Sequence, residues 1–474
     1  MKENIQDIWI DRVGMIAIVI VSLGYVLFGA SFAQLRLEFS FLDFPIFIGE
    51  ILLGFTTLLF IVKSVRQKWE LGAWGWVLGA YLFFVLLKAF SGYFVWGPLA
   101  FRDAALFYYP FFIVLGYSFW SNDLGGDKAR RGLVALILCV FILRQFVGYW
   151  PCSLIILGLI LALQARSFQE RMILLGAIIL FAPYGALFNV FYRTIFLSSL
   201  ITVIFISIIF FVLYYKDRWV CLLGGLVVCL FLGVVLFKLC QTGMGETCII
   251  KNPKPVAGAS FQEPSRAKYL FHPVGNSFGK LDAIKEFLQR IFKEELEAKE
   301  SYVVSNEPPM EGKHESLRIK EADTLFRYYI WRDMALEYAR HKPFFGFAFG
   351  RPLRSSTLKY YGLAVTTQEY DGWVGAHNSL LYMIYRAGLI GLVMVFSILA
   401  VWFGLLRDFF ILRDWTGLLL CAVLLNWIVA ANFFLIFEMP YTAIPVWTIL
   451  GITLKHRMLL KEASNVKINY ASNK

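Results

Sequence analysis

The sequence predicts an all-α polytopic membrane protein of about 12 transmembrane helices with one large polar loop between helices 9 and 10. Three observations predict it. The 474 residues are 59% hydrophobic and 18% aromatic, with a mean hydropathy of +0.65, well beyond the composition of a water-soluble domain. Apolar runs long enough to span a bilayer recur along the chain, separated by short connections. The net charge of +12 is unevenly placed: residues 240–378 hold 19 Lys/Arg against 17 Asp/Glu, and the rest holds 26 against 16. The basic excess therefore lies in short connections and tails, as the positive-inside rule requires, and a nucleic-acid partner is excluded.

Taken in order, the first span covers roughly residues 14–30, behind a short N-terminus carrying Lys2 and Arg12. Ser31-Phe32-Ala33 has the small-residue look of a signal-peptidase site, but spans follow at once, so an uncleaved helix is expected. Further spans fall near 45–62, 72–90, 103–120, 132–148, 152–166, 172–187, 194–215 and 219–239, then 379–405, 415–437 and 441–455. With the N-terminus inside, the inner connections carry Lys63, Arg66 and Lys68, then Lys128, Arg130 and Arg131, then Arg166 and Arg171, then Lys216 and Arg218, and finally Arg407 and Arg413. The short outer connections carry Arg36, Arg102 and Arg193. This asymmetry puts both termini in the cytoplasm and the long loop outside it. Four segments result: helices 1–9 over 1–239, the loop over 240–376, helices 10–12 over 377–456, and a cytoplasmic tail over 457–474.

Within the loop, Leu281, Ile284, Phe287, Leu288, Ile291, Phe292 and Leu296 recur at helical spacing, which predicts an amphipathic helix. A second is expected at about 322–340, closed by Pro343, with a turn at Gly346 and Gly350. The seven cysteines form no C-x-x-C pair, so no metal site and no cofactor is expected. Cys240 and Cys248 are either a disulfide or two thiols.

His377 and Asn378 stand where this polar segment gives way to the apolar run 380–403, which puts an imidazole at a membrane boundary. Such a histidine is either a helix-start residue or a general base, a role that an intrinsic pKa of about 6.5 suits. Glu369, Asp371 and Glu438 are candidates to orient it. Arg193, at the start of the eighth span, reads as an interface anchor or as a clamp for phosphate oxygens, which a guanidinium grips with two parallel hydrogen bonds. Arg327, with Arg332 nearby, offers the same choice between a clamp and a salt bridge to Glu321 or Asp323. Glu50 and Arg386, deeper in the spans, are expected to pair with each other.

Together these residues resemble the family of O-antigen ligases and O-antigen polymerases, bacterial envelope glycosyltransferases. The resemblance rests on Arg193, on Arg327 with Trp331, Pro343, Gly346 and Gly350, and on His377 and Asn378 followed by Gly388 and Gly391. Ala348 and Arg386 depart from it, standing where a glycine and a glutamate are common. The resemblance implies transfer of a glycan from undecaprenyl diphosphate to an acceptor hydroxyl at the periplasmic face of the inner membrane. Arg193 and Arg327 would hold the diphosphate, and His377 would take the acceptor's proton. Lipid A core is the implied acceptor of a ligase, and a growing glycan that of a polymerase. The partners are thus the carrier-linked donor, the acceptor and membrane lipids. A secondary transporter or lipid flippase is the alternative of another class, but such folds show internal repeats and midplane polar sites.

Overall fold

The computed structural model describes residues 5–38, 45–66, 72–120, 156, 158, 168–169, 172, 193–214, 319–341, 343–353, 355 and 375–472. The spans expected at 132–148, 152–166, 172–187 and 219–239 lie outside the described residues apart from isolated positions. So do the helix expected at 281–296 and both Cys240 and Cys248.

The chain begins with α1 (Ile5–Ala33), which leads through a two-stranded antiparallel ribbon, β1 (Arg36–Leu37) and β2 (Ile46–Phe47), into α2 (Ile48–Arg66). Then come α3 (Gly72–Trp96), α4 (Leu99–Tyr108) and α5 (Phe112–Phe119). The predicted span 103–120 is interrupted: Pro110 has no N–H for a helical hydrogen bond, and Tyr109–Phe111 tighten into a 3₁₀ turn between α4 and α5. After α6 (Arg193–Tyr214) and α7 (Ile319–His341) come α8 (Ser379–Ala387), α9 (Leu389–Leu412), α10 (Trp415–Ala431) and α11 (Pro440–Ser472).

Two boundaries differ from expectation. The run expected as one helix over 379–405 breaks at Gly388, whose φ of 58° and ψ of −128° no helix contains. Phe344 makes the break: its carbonyl accepts from Leu389 N–H at 2.9 Å and would lie 2.2 Å from any Cβ at Gly388. The last helix, expected to end near 455, continues to Ser472, so the presumed tail is helical.

Packing divides the helices into sheathed and outward-facing ones. α11 packs on α5, α1 and α10, while α10 also packs on α6 and α9. Leu418–Leu424 of α10 are buried all round, the behaviour of a helix that is apolar on every face. α9 instead turns Val393, Phe396 and Phe403 outward, and α3 does the same with Phe83, Leu86 and Phe90. An apolar surface that extensive is not tolerated in water. Among the described residues, five helical stretches are long and apolar enough to cross a membrane: Asp7–Tyr25, Ile48–Arg66, Val77–Trp96, Leu99–Phe119 and Leu389–Leu412.

Charged side chains gather at one end of these helices. Lys63 bonds Asp11 at 2.6 Å and the carbonyl of Ser118 at 2.7 Å, and Lys455 lies over the adjoining Tyr117 ring. There too Asp408 of α9 takes Arg457 and Lys461 of α11, and Asp414 takes His456.

Candidate functional site

The other end is built around α8, and its frame is a buried polar network. Residues 343–350 turn back against α8, with Gly346 at φ 73° and Gly350 at φ 83°. Lys88 of α3, buried, donates to the carbonyls of Phe345 and Gly346 and lies against the rings of Phe84 and Phe349. Asp103 of α4 accepts from Gly350 N–H at 2.7 Å and Tyr382 O–H at 2.7 Å, and pairs with Arg386 at 2.9 Å. Arg386, 1% exposed, also donates to the carbonyls of Ala348 at 2.6 Å and Arg351 at 2.5 Å. Glu337 of α7 accepts from Tyr385 O–H and from Arg351, each at 2.6 Å. A buried guanidinium needs this much compensation, since desolvating it costs several kcal/mol, of the order of 5.

The expected Glu50–Arg386 pair is therefore corrected. Arg386 pairs with Asp103, and Glu50 instead accepts from Tyr108 at 2.6 Å and Tyr109 at 2.7 Å, so two phenols stabilise it.

At the N-terminus of α8 the backbone is strained. His377 has φ 52°, a left-handed conformation that a residue with a side chain adopts at a cost of about 1–3 kcal/mol. Anchors on both sides impose it. Trp331 of α7 donates its indole N–H to the Ala376 carbonyl at 2.7 Å. Asn378 caps α8, its Oδ1 accepting from Leu381 N–H at 2.9 Å. Ser379 Oγ, buried, lies 3.0 Å from the Phe434 carbonyl and 2.5 Å from Glu438 Oε2, and accepts from Phe437 N–H at 3.2 Å.

His377 lines a pocket of about 90 Å³ with Phe434, Leu435, Ile436, Met439, Tyr441 and Thr442, the segment that joins α10 to α11. Arg327 of α7 reaches the same segment: its Nη1 lies 3.4 Å from the Phe433 carbonyl, and its guanidinium lies 5.4 Å from the centre of the Phe434 ring. Glu438 belongs to this connection too. Its Oε1 is buried and has no hydrogen-bond partner among the described residues, and burial pushes its pKa up from 4.5 to about 7.

Of the residues singled out in the sequence, Arg327, Trp331 and His377 thus reach residues 433–442, the segment that contains Glu438, while Asn378 caps α8 next to His377. Arg332 does not: it is exposed and paired with the adjacent Asp333. Glu369 and Asp371 lie outside the described residues, as does the side chain of Arg193, whose backbone opens α6 as expected. Sequence reasoning missed Lys88, Asp103, Tyr382 and Ser379. The first two were visible as charges inside apolar runs; Tyr382 could have been found from its i, i+4 spacing to Arg386.

Long helices with apolar faces turned outward define a multi-pass membrane protein. Residues 187–396 match the family model described as O-antigen ligase, so the resemblance read from the sequence stands, and the match supports the O-antigen ligase family. The matched segment runs from six residues before α6 into α9 and includes Arg193, Arg327 and His377, while Lys88, Asp103 and Glu438 lie beyond it. The role the family implies is that of a membrane glycosyltransferase in lipopolysaccharide or polysaccharide synthesis. No curated protein and no solved structure matches the chain significantly.

Proposed function

We propose that this protein is an inner-membrane glycosyltransferase of the O-antigen ligase type. It moves a glycan from undecaprenyl diphosphate to an acceptor hydroxyl at the periplasmic face, without a metal. The observation that carries this reading is the convergence of a strained histidine and an arginine on one short connection at the mouth of a pocket. Strained backbone held by its surroundings is characteristic of functional sites.

In the proposed reaction, His377 accepts the proton of the attacking hydroxyl as the new glycosidic bond forms. The bond from the sugar to the diphosphate breaks, and the diphosphate departs with the electron pair. Arg327 neutralises that charge, joined by Arg193 from the start of α6; developing charge of this kind is best stabilised by donors already in place. The acceptor is lipid A core, and with the loop outside the cytoplasm both termini lie inside it.

His377→Ala is expected to lower transfer by about 100-fold to 10,000-fold with the protein still inserted, measured with purified protein and carrier-linked glycan. His377→Gln keeps a hydrogen bond but cannot take the proton; full activity in that variant would exclude the base role. Lipopolysaccharide gels of a deletion strain separate ligase from polymerase. Core without any attached chain marks the former, core carrying one repeat unit the latter, and unchanged gels would exclude both.

A further inference from the structure

The hydrogen bonds at Ser379 can be counted against what a serine hydroxyl can make: it has one proton to donate and two lone pairs to accept with. Its three neighbours are Phe437 N–H, which can only donate, the Phe434 carbonyl, which can only accept, and Glu438 Oε2 at 2.5 Å. If Glu438 is ionised, both it and the carbonyl require the single serine proton, and Ser379 can keep only one of these two contacts. If Glu438 carries a proton, it donates to Ser379 Oγ, Ser379 donates to the carbonyl, and Phe437 N–H fills the remaining lone pair. Only the protonated arrangement satisfies all three contacts at once.

We infer that Glu438 is a protonated carboxylic acid in the assembled site and acts, through Ser379, as a pH-sensitive positioning residue for His377. Ser379 is two residues from His377 and opens α8, so the bonds it makes to residues 434, 437 and 438 hold the strained histidine against the pocket wall. Ionisation of Glu438 releases one of those bonds and loosens the histidine's seat.

The surroundings agree with this assignment. Glu438 Oε1 is buried with no hydrogen-bond partner among the described residues, which a neutral acid's carbonyl oxygen tolerates far better than a carboxylate does; the N–H groups of Phe437 and of Glu438 itself act the other way, and burial outweighs them. From α4 the charge that acts on it is another acid, Asp103, already committed to Arg386 and Tyr382 of α8. Arg327 approaches from α7 but is placed on Phe433 and Phe434. Tyr441 and His377 flank the pocket, and Glu50 of α2 is held by Tyr108 and Tyr109. Burial shifts Glu438 to about 7, so the exchange falls near neutral pH.

The kinetic part of the test rests on the glycosyl-transfer reading; the spectroscopic part does not. Infrared difference spectra of the purified protein between pH 6 and pH 8 should contain the carbonyl stretch of a protonated carboxylic acid that disappears on alkalinisation and is missing from Glu438→Gln. Absence of that difference band in the wild-type protein, or its persistence in Glu438→Gln, overturns the protonation state whatever the enzyme does. In transfer assays the wild-type kcat should fall above neutral pH by up to about tenfold per pH unit, as for loss of one essential proton. Glu438→Gln donates permanently to Ser379, so its profile should lose this alkaline limb. Ser379→Ala should lower kcat at every pH with little change in KM. An alkaline limb unchanged in Glu438→Gln, with the infrared band assigned, would overturn the positioning role alone.

Discussion

The two ends of α8 make opposite use of buried polarity. At the C-terminal half, Arg386 meets a carboxylate, two carbonyls and a phenol, and the turn at 343–350 is held by Lys88 as well. At the N-terminus, two turns away, a histidine sits in a left-handed conformation, and Ser379 two residues on meets a carboxyl group whose other oxygen has no partner among the described residues. The difference teaches how the site is maintained: strain at His377 persists because the frame behind it cannot relax. A nearly satisfied network supplies rigidity to the strained segment beside it.

The comparison can be broken from the frame side first. Arg386→Ala leaves Asp103 buried without its cation, and should destabilise the protein by about 3–5 kcal/mol, read as a large drop in thermal midpoint in detergent. A midpoint near wild type would mean the network is not what holds α8. Next in size is Gly388→Ala, which puts a Cβ against the Phe344 carbonyl at a positive φ and should cost about 1–3 kcal/mol in backbone strain beyond the clash. Its melting curve, compared with that of Leu389→Ala, separates strain from simple loss of apolar contact. The smallest effect sharpens the other end. Asn378→Ala removes the cap of α8 and should cost about 1 kcal/mol in stability, but a disproportionate share of transfer activity, because the cap also fixes His377.

A pH scan without substrate distinguishes the ends in another way. Burial raises the pKa of Glu438 from 4.5 to about 7, so its contribution to stability is fully present below about 4.5 and is lost as pH rises through about 7. Thermal midpoints should therefore decline between about pH 4.5 and pH 7 in the wild-type protein and less so in Glu438→Gln.

The parts of this fold legible in the sequence are those decided by local composition. α1, α2, α3 and α10 follow from their apolar runs, and α7 from its position before Pro343. The break at Gly388 was not legible, because hydropathy continues across it and the break is made by a carbonyl 44 positions earlier in the chain. Arg386 could be recognised as needing a partner, but several acids were available and spacing cannot choose among non-local pairs. His377, Asn378 and Glu438 stood out as polar residues at boundaries. Ser379 did not, because a serine at a helix start normally needs no further explanation.

The length of α11 has a consequence for how the molecule sits. At 1.5 Å per residue its 33 residues extend about 50 Å, against roughly 30 Å of hydrocarbon in a bilayer, so a substantial part of it stands clear of the lipid tails. Its first turn supplies Tyr441 and Thr442 to the pocket, while Arg457 is pinned to Asp408 fifteen residues later, about 22 Å along the axis. That separation is about three quarters of the thickness of the tails. One helix thereby fixes how far the pocket stands from the ring of charges around Asp408 and Asp414.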